Sequence, residues 1–346
     1  MRRSAGNERL VPKVLASAAD GVVNLIDRYG GDIESIFCRA NISPTVLEDP
    51  LNELGLREYC NLFDTVAMQV GEDHFGLLFG ASFKPNRLGG IGYLAVNSPT
   101  LHAALNNFVH YFPVHQDSTY LNVVEDRGIY RLDYEILDPN ITNATQDAEL
   151  SIGIFLNILK HGLGSHWGPL EVHFSHRNFH HSASKHEAIF QCPVRFNQAS
   201  NSILFHKSAL NAIMPDCDPY LYTVIESTLK RSKEVKSETE NLVDEVKHQI
   251  KVSLGGSVPK VSEIAATFNL DVAHVKRKLD AHGVRYSDLL RAARQELAIK
   301  YLAQTDMPLT EVAFSLGYSE LSAFSRAFKA WSGMCPQRYR NSHLLS

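Results

Sequence analysis

Apolar positions recur with helical spacing in two segments near the C-terminus, residues 261–279 and 309–328. In each segment a short helix with an apolar face is followed by a tight turn and a second helix, whose inward side chains stand four residues apart. These inward pairs are Val275 with Leu279 and Phe324 with Phe328. Two short helices joined by a tight turn, repeated about 50 residues apart, predict a doubled helix-turn-helix.

Both turns contain residues that suit the expected backbone geometry. Gly317 can adopt a positive φ in the second turn, and Asn269, the next most tolerant residue type, occupies the matching place in the first. Asp271 and Ser319 follow these turns, and we expect their side-chain oxygens to cap the second helices. Each repeat therefore carries its own cues for a turn and a helix start.

The polar faces of the second helices supply the candidate DNA contacts. We assign these contacts to Ala273, His274, Lys276, Arg277, Lys278, Leu321, Ser322, Ser325 and Arg326. Lys276, Arg277 and Arg326 are the principal candidates, because arginine can bind guanine O6 and N7 through two hydrogen bonds and can also hold phosphate. Two of these residues have an alternative role. Arg326 could form an internal salt bridge instead of contacting DNA. Leu321 could contact a thymine methyl group, or it could occupy a partly buried core position.

A further helix is predicted between the repeats, over residues 287–304, which form a Leu/Ala face without glycine or proline. Its 18 residues would extend about 27 Å. A rigid spacer of that length can hold two reading helices roughly one DNA turn apart, about 34 Å, so that both enter successive major grooves on one side of the duplex.

The closing run, residues 316–340, carries a family resemblance. It contains Gly317-Tyr318-Ser319, Phe324-Ser325-Arg326-Ala327-Phe328-Lys329, Gly333, Pro336 and Tyr339-Arg340. Together with the doubled motif and the linking helix, it resembles the DNA-binding domain of the AraC/XylS family of bacterial transcription regulators. The resemblance implies binding to double-stranded promoter or operator DNA, and regulation of RNA polymerase that is most often activation.

The N-terminal part mixes helical and alternating patterns. Helices are predicted over residues 11–29, 32–40, 56–70, 75–79 and 143–163, the last amphipathic, and over a segment ending near 112 that Ser98 or Thr100 would cap. Residues 83–91 are expected to be a connection. A hairpin is predicted from 120–125 and 129–136, and short strands at 170–174, 194–196 and 203–205. These patterns predict an α+β N-terminal domain, with helices and a small antiparallel sheet, followed by an all-α C-terminal domain.

The N-terminal part has a resemblance of its own. It resembles the arabinose-binding-type domain that precedes the DNA-binding domain in many of these regulators, at His74-Phe75-Gly76-Leu77, Gly92-Tyr93-Leu94, Ser98-Pro99-Thr100-Leu101, Tyr134-Glu135-Ile136 and Cys192-Pro193-Val194-Arg195-Phe196. The resemblance implies a regulatory and dimerising domain. Because the largely helical opening differs from the all-β jelly roll of the arabinose sensor, a sugar ligand is not carried over, and the ligand-binding residues stay unassigned.

Charge divides the chain as the motifs do. Residues 247–346 hold 14 Lys and Arg against 8 Asp and Glu, a balance of +6, whereas the remainder holds 20 against 30, a balance of −10. A basic module on an acidic body is typical of a domain that binds phosphates joined to one that does not. We predict an effector-sensing and dimerisation domain over residues 1–225, a charged helical linker over 226–239 and a DNA-binding domain over 240–346.

The sequence gives little support for a membrane, metal-binding or catalytic function. The lack of a membrane-spanning apolar run, of an apolar signal core and of any C-x-x-C pair among five cysteines predicts a cytoplasmic protein with reduced thiols. Neither a metal nor another cofactor is predicted, because the spacing of structural zinc ligands is missing from His173, His176, His180, His181, His186 and Cys192. An enzyme is not predicted, because no nucleophile elbow or Cys-His pair accompanies the carboxylates on polar faces of the N-terminal part. These carboxylates are Asp117, Glu125, Glu135 and Asp147.

The combined prediction is a ligand-responsive, sequence-specific transcription regulator. It would activate a catabolic or virulence-type operon, form homodimers through its N-terminal domain, contact RNA polymerase and bind a small-molecule effector of unknown identity. Two alternatives stay open: a ligand-independent dimeric DNA-binding protein, and a small-molecule enzyme domain fused to a DNA-binding module.

Overall fold

The structure is a computed structural model that describes residues 11–138, 140–141, 143–178, 183–236, 242–254, 258–268, 270–281, 283–304 and 307–343. The chain divides into two compact units. The first comprises Met1–Val172, Ser184–Val194 and Ser202–Glu238, and the second comprises His173–Ala183, Arg195–Asn201 and Thr239–Ser346. No helix among the described residues is both long and apolar enough to cross a membrane.

α-Helices predominate in the N-terminal part of the first unit. They are α1 (Val22–Arg28), α2 (Ile33–Ala40), α3 (Leu56–Val70), α4 (Phe75–Ser82), α5 (Gly89–Val96) and α6 (Leu101–His115). Thr100 caps α6 as predicted, because its hydroxyl accepts a hydrogen bond from the amide of Ala103 at 3.2 Å. The expected connection over residues 83–91 is wrong at its end, since α5 already begins at Gly89.

The single helix predicted over residues 11–29 is also wrong. Lys13–Leu15 form strand β1, which pairs antiparallel with β2 (Glu53–Gly55), and α1 starts only at Val22. Gly21 precedes α1 in the left-handed conformation, with φ of 83°. Pairing with a strand about 40 residues away in sequence therefore overrides the helical pattern, and such a contact is not visible in a local window.

The five-stranded sheet has the order β3-β4-β7-β5-β6, with β3 and β4 antiparallel. Its strands are β3 (Thr119–Asp126), β4 (Ile129–Ile136), β5 (Glu171–His173), β6 (Val194–Arg195) and β7 (Asn201–His206). The β3–β4 hairpin turns through Arg127 and Gly128, both at positive φ, which is the two-residue turn that matches strand twist. With the surrounding helices, this sheet confirms the α+β prediction for the N-terminal domain.

Helix α7 (Thr145–Leu163) is buried on nearly all sides, so the predicted amphipathic character is wrong. It packs against α4 at close range, because glycines occupy the crossing. A methyl group on Gly76 would overlap the Gln146 carbonyl oxygen, and one on Gly80 would overlap that of Leu150. The close approach brings the N-terminal end of α4 beside the polar residues of α7.

Polar residues of α7 are buried with hydrogen-bonding partners. The Tyr134 hydroxyl donates to Asp147 Oδ2 at 2.8 Å, and Gln116 Nε2 donates to the Tyr134 hydroxyl at 3.0 Å. Asp147 is almost fully buried. Desolvation raises the pKa of its carboxyl to about 7, against a smaller opposing effect of the hydrogen bond from Tyr134.

The first unit ends with α8 (Ala183–Phe190) and α9 (Pro219–Lys236). Helix α9 packs against α5 and α6: Leu229 is buried, and Lys233 Nζ donates to the His110 carbonyl oxygen at 2.8 Å. Residues 226–236 of the predicted linker therefore lie in a helix that packs on the first unit, whereas residues 237–239 lie outside the described residues. The predicted linker bounds stay a prediction.

The helices of the second unit are α10 (Leu242–Ser253), α11 (Val261–Thr267), α12 (Val272–Ala281), α13 (Tyr286–Gln304), α14 (Leu309–Ser315), α15 (Leu321–Ser332) and α16 (Pro336–His343). One hydrophobic core includes residues from every helix between α10 and α15. It joins α11–α12 and α14–α15 into one body, because both pairs bury their apolar faces in the same cluster. The prediction of an all-α C-terminal domain is confirmed.

Candidate nucleic-acid interface

The first helix-turn-helix consists of α11 and α12. Ile264, Val275 and Leu279 are almost fully buried, as their spacing predicts. Asp271 precedes α12, and its Oδ1 accepts a hydrogen bond from the His274 amide at 2.7 Å, so the predicted cap is present. The predicted turn residue Asn269 lies outside the described residues.

The outer face of α12 carries exposed positive charge. Ala273, Lys276, Arg277 and Lys278 are exposed, whereas His274 is half-buried. Arg277 Nη2 lies 3.2 Å from His274 Nδ1, a contact within the same face. The cations therefore point away from the core that Val275 and Leu279 occupy.

The second helix-turn-helix consists of α14 and α15. Phe324 and Phe328 are completely buried, and Gly317 adopts the expected positive φ of 71°. Ser319 does not cap α15, so this prediction is wrong. The N-cap position is Glu320, which makes no side-chain capping bond and instead accepts a hydrogen bond from the Ser322 hydroxyl at 2.9 Å.

The outer face of α15 is less basic than that of α12. Ser322 and Arg326 are exposed, and Ser325 and Leu321 are half-buried. Leu321 packs against the hydrophobic core, which favours its role as a core residue over contact with a thymine methyl group. Among the described residues, no carboxylate lies within ion-pair distance of Arg326, so its side chain is available for an external partner.

The two repeats share a backbone hydrogen bond at equivalent positions. The Leu270 amide donates to the Ala265 carbonyl oxygen, and the Tyr318 amide donates to the Ala313 carbonyl oxygen, both at 3.0 Å. Such a bond closes the C-terminal end of a helix and sets the direction in which the chain leaves it. The repeat seen in the sequence is therefore also a repeat of turn geometry.

Two arginines outside the predicted DNA contacts support the second repeat. Arg294 of α13 donates to the carbonyl oxygens of Leu316 at 2.9 Å and Gly317 at 3.2 Å. Arg340 of α16 donates to the Met307 carbonyl oxygen at 2.7 Å. Arg340 falls in the run that carries the family resemblance, but Arg294 has no local sequence feature that predicts its contacts.

Helix α13 joins the repeats. It has 19 residues, close to the 18 predicted, and its length is about 28 Å. Its buried residues Leu289, Ala293, Leu297, Ala298 and Leu302 belong to the shared core. The spacing between α12 and α15 is therefore fixed by packing and does not depend on a free linker.

The first unit has an open cleft of about 550 Å³. Its walls are formed by α1, α4 and the segment before α5, and its lining is Asp20, Gly21, Asn24, Leu25, Arg28, Phe79, Ser82, Phe83, Lys84 and Arg87. Arg87 and Asp20 form an exposed ion pair at 3.5 Å, while Arg28 and Lys84 are exposed beside the aromatic floor. The cleft thus combines an apolar base with unbalanced positive charge.

Two helix-turn-helix units on one core, each with a cation on its outer face, define a DNA-binding protein. Residues 30–214 match the family model described as the arabinose-binding domain of AraC transcription regulator, and residues 264–342 match a helix-turn-helix domain model. The chain belongs to the AraC family of transcription regulators.

Relatives extend along nearly the whole chain. The ornithine utilization regulator of Pseudomonas aeruginosa is 25% identical over 96% of this chain and 97% of its own length. The transcriptional regulator VirS of Mycobacterium tuberculosis is 26% identical over 92% of this chain and 94% of its own length. A crystal structure of the transcriptional regulator CdpR from Pseudomonas aeruginosa covers 92% of this chain and 98% of its own, with 17% identity and a TM-score of 0.43. The family and the two relatives matched by sequence are transcription regulators and not enzymes.

Proposed function

We propose that the protein is an effector-responsive activator that binds a promoter through both helix-turn-helix units and recruits RNA polymerase in the cytoplasm. The observation that carries the proposal is the outward position of Lys276, Arg277 and Arg326 on helices that one core holds together. The target is a catabolic or virulence-type operon, and the name of the ornithine utilization regulator supports the catabolic case.

The residues have distinct roles in this proposal. Arg277 and Arg326 read base edges in successive major grooves, because a guanidinium can bind guanine through two hydrogen bonds. Lys276 and Lys278 hold phosphates and set the position on the duplex. Ala273, His274, Ser322 and Ser325 complete the contact faces, and Leu321 supports α15 from the core side.

Footprinting of the full-length protein on the promoter regions adjoining its own gene tests DNA reading. We expect protection of two major-groove segments, about 10 base pairs apart, on one face of the duplex. Binding should weaken steeply with salt, as phosphate contacts require. A footprint limited to one groove would contradict the use of both units, and the absence of any preferred site would contradict sequence-specific binding.

The cleft in the first unit is the proposed effector site. Its apolar base and its cations Arg28 and Lys84 favour an amphipathic molecule with a carboxylate or another anionic group. Arg87 contributes less charge because Asp20 accompanies it. An anion with an apolar body would fill the base with its carbon skeleton and place its charged end at the rim.

Thermal unfolding of the full-length protein with a panel of fatty, aromatic and amino acids tests the effector. We expect at least one anionic amphipathic compound to raise the melting temperature, since a ligand that binds only the folded state stabilises it. The rise should be lost in Arg28→Gln and Lys84→Gln. It should be kept in Arg39→Gln, which changes an exposed cation on α2. No stabilisation by the panel, together with transcription that ignores these compounds, would favour the ligand-independent alternative.

Dimerisation through the first unit is supported by exposed apolar side chains on α9 and just before it. Tyr220 is 81% exposed, Ile213 is 76% exposed, and Val224 lies one helical turn beyond Tyr220. Side chains four residues apart share a helix face, so Tyr220 and Val224 form one apolar strip. Sedimentation should show a dimer that Tyr220→Glu converts to a monomer, whereas Lys230→Glu, at an exposed position on another face of the same helix, should leave it unchanged. A monomeric wild-type protein would contradict the dimer.

A further inference from the structure

Two histidines and a glutamate from three separate elements converge in the first unit. They are His74 at the start of α4, Glu149 of α7 and His186 of α8, and their ligand-type atoms all lie within 4.8 Å of one another. His186 Nε2 donates to Glu149 Oε1 at 2.7 Å, and His74 Nδ1 lies 3.8 Å from Glu149 Oε2. We propose that these side chains form a binding site for a divalent transition-metal ion, with zinc the favoured occupant.

The ligand chemistry supports this assignment. Imidazole nitrogens and one carboxylate are ligands that zinc accepts, and two histidines with one glutamate are a known set for a site with an open fourth position. In a tetrahedral site with bonds of about 2.0–2.1 Å, neighbouring ligand atoms lie roughly 3.3 Å apart. The separations of 2.7 Å and 3.8 Å run to the two oxygens of the Glu149 carboxylate and lie on either side of that value. No two ligand atoms are more than 4.8 Å apart, so side-chain rotations that bring them closer would close the site.

Burial favours a site over a chance surface cluster. The side chains of His186 and Glu149 are 1% and 2% exposed, and that of His74 is 12% exposed. A buried glutamate requires compensation of its charge, which a bound cation would supply. The edge of one imidazole faces the other, with the ring centroids of His74 and His186 4.8 Å apart. A simple histidine–glutamate pair does not need this third side chain.

The surrounding structure holds the three ligands in place. The glycine-lined crossing of α4 and α7 fixes the distance between His74 and Glu149. Glu72 connects the start of α4 with α8, because its Oε1 accepts hydrogen bonds from the His74 amide at 3.1 Å and from Lys185 Nζ at 2.7 Å. A bound ion would therefore join α8 to α4 and α7.

This site differs from the histidine group considered in the sequence. Only His186 of that group takes part in the cluster found among the described residues, and His180 and His181 lie outside them. His74 and Glu149 stand 75 residues apart in the chain, and no regular spacing connects them. The expectation of no metal depended on local sequence features, which cannot detect ligands brought together by helix packing.

Metal loading of the full-length protein tests the proposal. After treatment with a chelator and addition of Zn²⁺, elemental analysis of the desalted protein should give one ion per chain. Co²⁺ should produce visible absorption bands of a low-coordinate site with nitrogen and oxygen ligands. Both should be lost in Glu149→Gln, which keeps a hydrogen-bond acceptor for His186 but removes the anionic ligand.

His74→Asn provides a second variant. His74 is more exposed than Glu149, so its replacement disturbs the core less. It should also lose stoichiometric zinc, whereas His102→Asn, an exposed histidine of α6, should retain it. Zn²⁺ should raise the melting temperature of the wild type and of His102→Asn, but not of the other two variants. Zinc content or cobalt spectra that are unchanged in Glu149→Gln and in a folded His74→Asn would overturn the proposal, as would a wild type that binds neither ion.

Discussion

The guanidinium carbon of Arg294 lies 4.6 Å from the centroid of the Tyr318 ring. At this distance a cation is attracted to the face of an aromatic ring. The same guanidinium donates to the carbonyl oxygens of Leu316 and Gly317, so one side chain of α13 holds the turn of the second repeat at three points. The linking helix thereby fixes the start of α15 as well as its distance from α12.

Replacement of Arg294 by alanine should loosen this turn. We expect a loss of about 2 kcal/mol in the free energy of unfolding, because charged hydrogen bonds and a cation–π contact are removed together. Arg294→Lys should recover little of this lost stability, since lysine keeps the charge but lacks the planar guanidinium group that forms two hydrogen bonds. Urea unfolding measures the change, and Arg291→Ala on the exposed face of α13 serves as the control. Equal effects of Arg294→Ala and Arg291→Ala would contradict the role of the turn contacts.

Removal of a reading arginine should weaken specific DNA binding without destabilising the fold. Arg277→Ala and Arg326→Ala should each reduce operator affinity by about 1–3 kcal/mol, the discrimination that one bidentate base contact provides. Both side chains are exposed, so melting temperatures should stay close to that of the wild type.

Titration of labelled operator DNA at fixed salt measures these affinities. Arg231→Ala, an exposed arginine of α9 in the first unit, is the charge-matched control and should bind normally. If both reading variants bind as tightly as the wild type, then the assignment of these two arginines is wrong.

The two helix-start positions should respond differently to the same substitution. Asp271→Ala removes a capping bond of 2.7 Å and should cost about 1 kcal/mol of stability. Ser319→Ala should change stability by less than about 0.5 kcal/mol, because Glu320 and not Ser319 occupies the cap position. Chemical unfolding of the two variants in parallel provides the comparison. A larger loss for Ser319→Ala than for Asp271→Ala would contradict the observed cap geometry.

Asp147 should make stability depend on pH. Burial raises its pKa from 3.8 to about 7, so the folded protein retains a proton that the unfolded chain releases over that interval. The contribution of Asp147 to the free energy of unfolding is therefore fully present below about pH 4 and is lost as the pH rises through about 7. Asp147→Asn cannot titrate and still offers the Tyr134 hydroxyl an oxygen acceptor.

Unfolding free energies of the wild type and Asp147→Asn at about pH 4 and about pH 8 measure this contribution. The wild type should lose roughly 2–4 kcal/mol more than the variant over this range, from a shift worth about 1.4 kcal/mol per pKa unit. Asp27→Asn, an exposed carboxylate of α1, should follow the wild type. Parallel pH profiles for the wild type and Asp147→Asn would show that this carboxyl does not hold its proton in the folded state.

Local patterns were sufficient for most of the DNA-binding module. The four-residue spacing of Val275 with Leu279 and of Phe324 with Phe328 already separates inner from outer faces, because helical geometry maps spacing onto direction. Gly317 likewise marks its turn, since a positive φ is a property of one residue and its neighbours. The prediction for Ser319 failed because residue preference alone does not decide which of two adjacent residues caps the helix.

Contacts between distant segments were decided only by the tertiary structure. Strand β1 depends on a partner from β2, and the support that Arg294 gives to the second repeat depends on how α13 packs on it. The burial of Asp147 and the meeting of His74, Glu149 and His186 depend on the crossing of α4 with α7 and the position of α8. By itself the sequence determined which faces of the reading helices would be polar, because that follows from the helical period. It did not determine which buried polar groups would meet, because that follows from the packing of elements far apart in the chain.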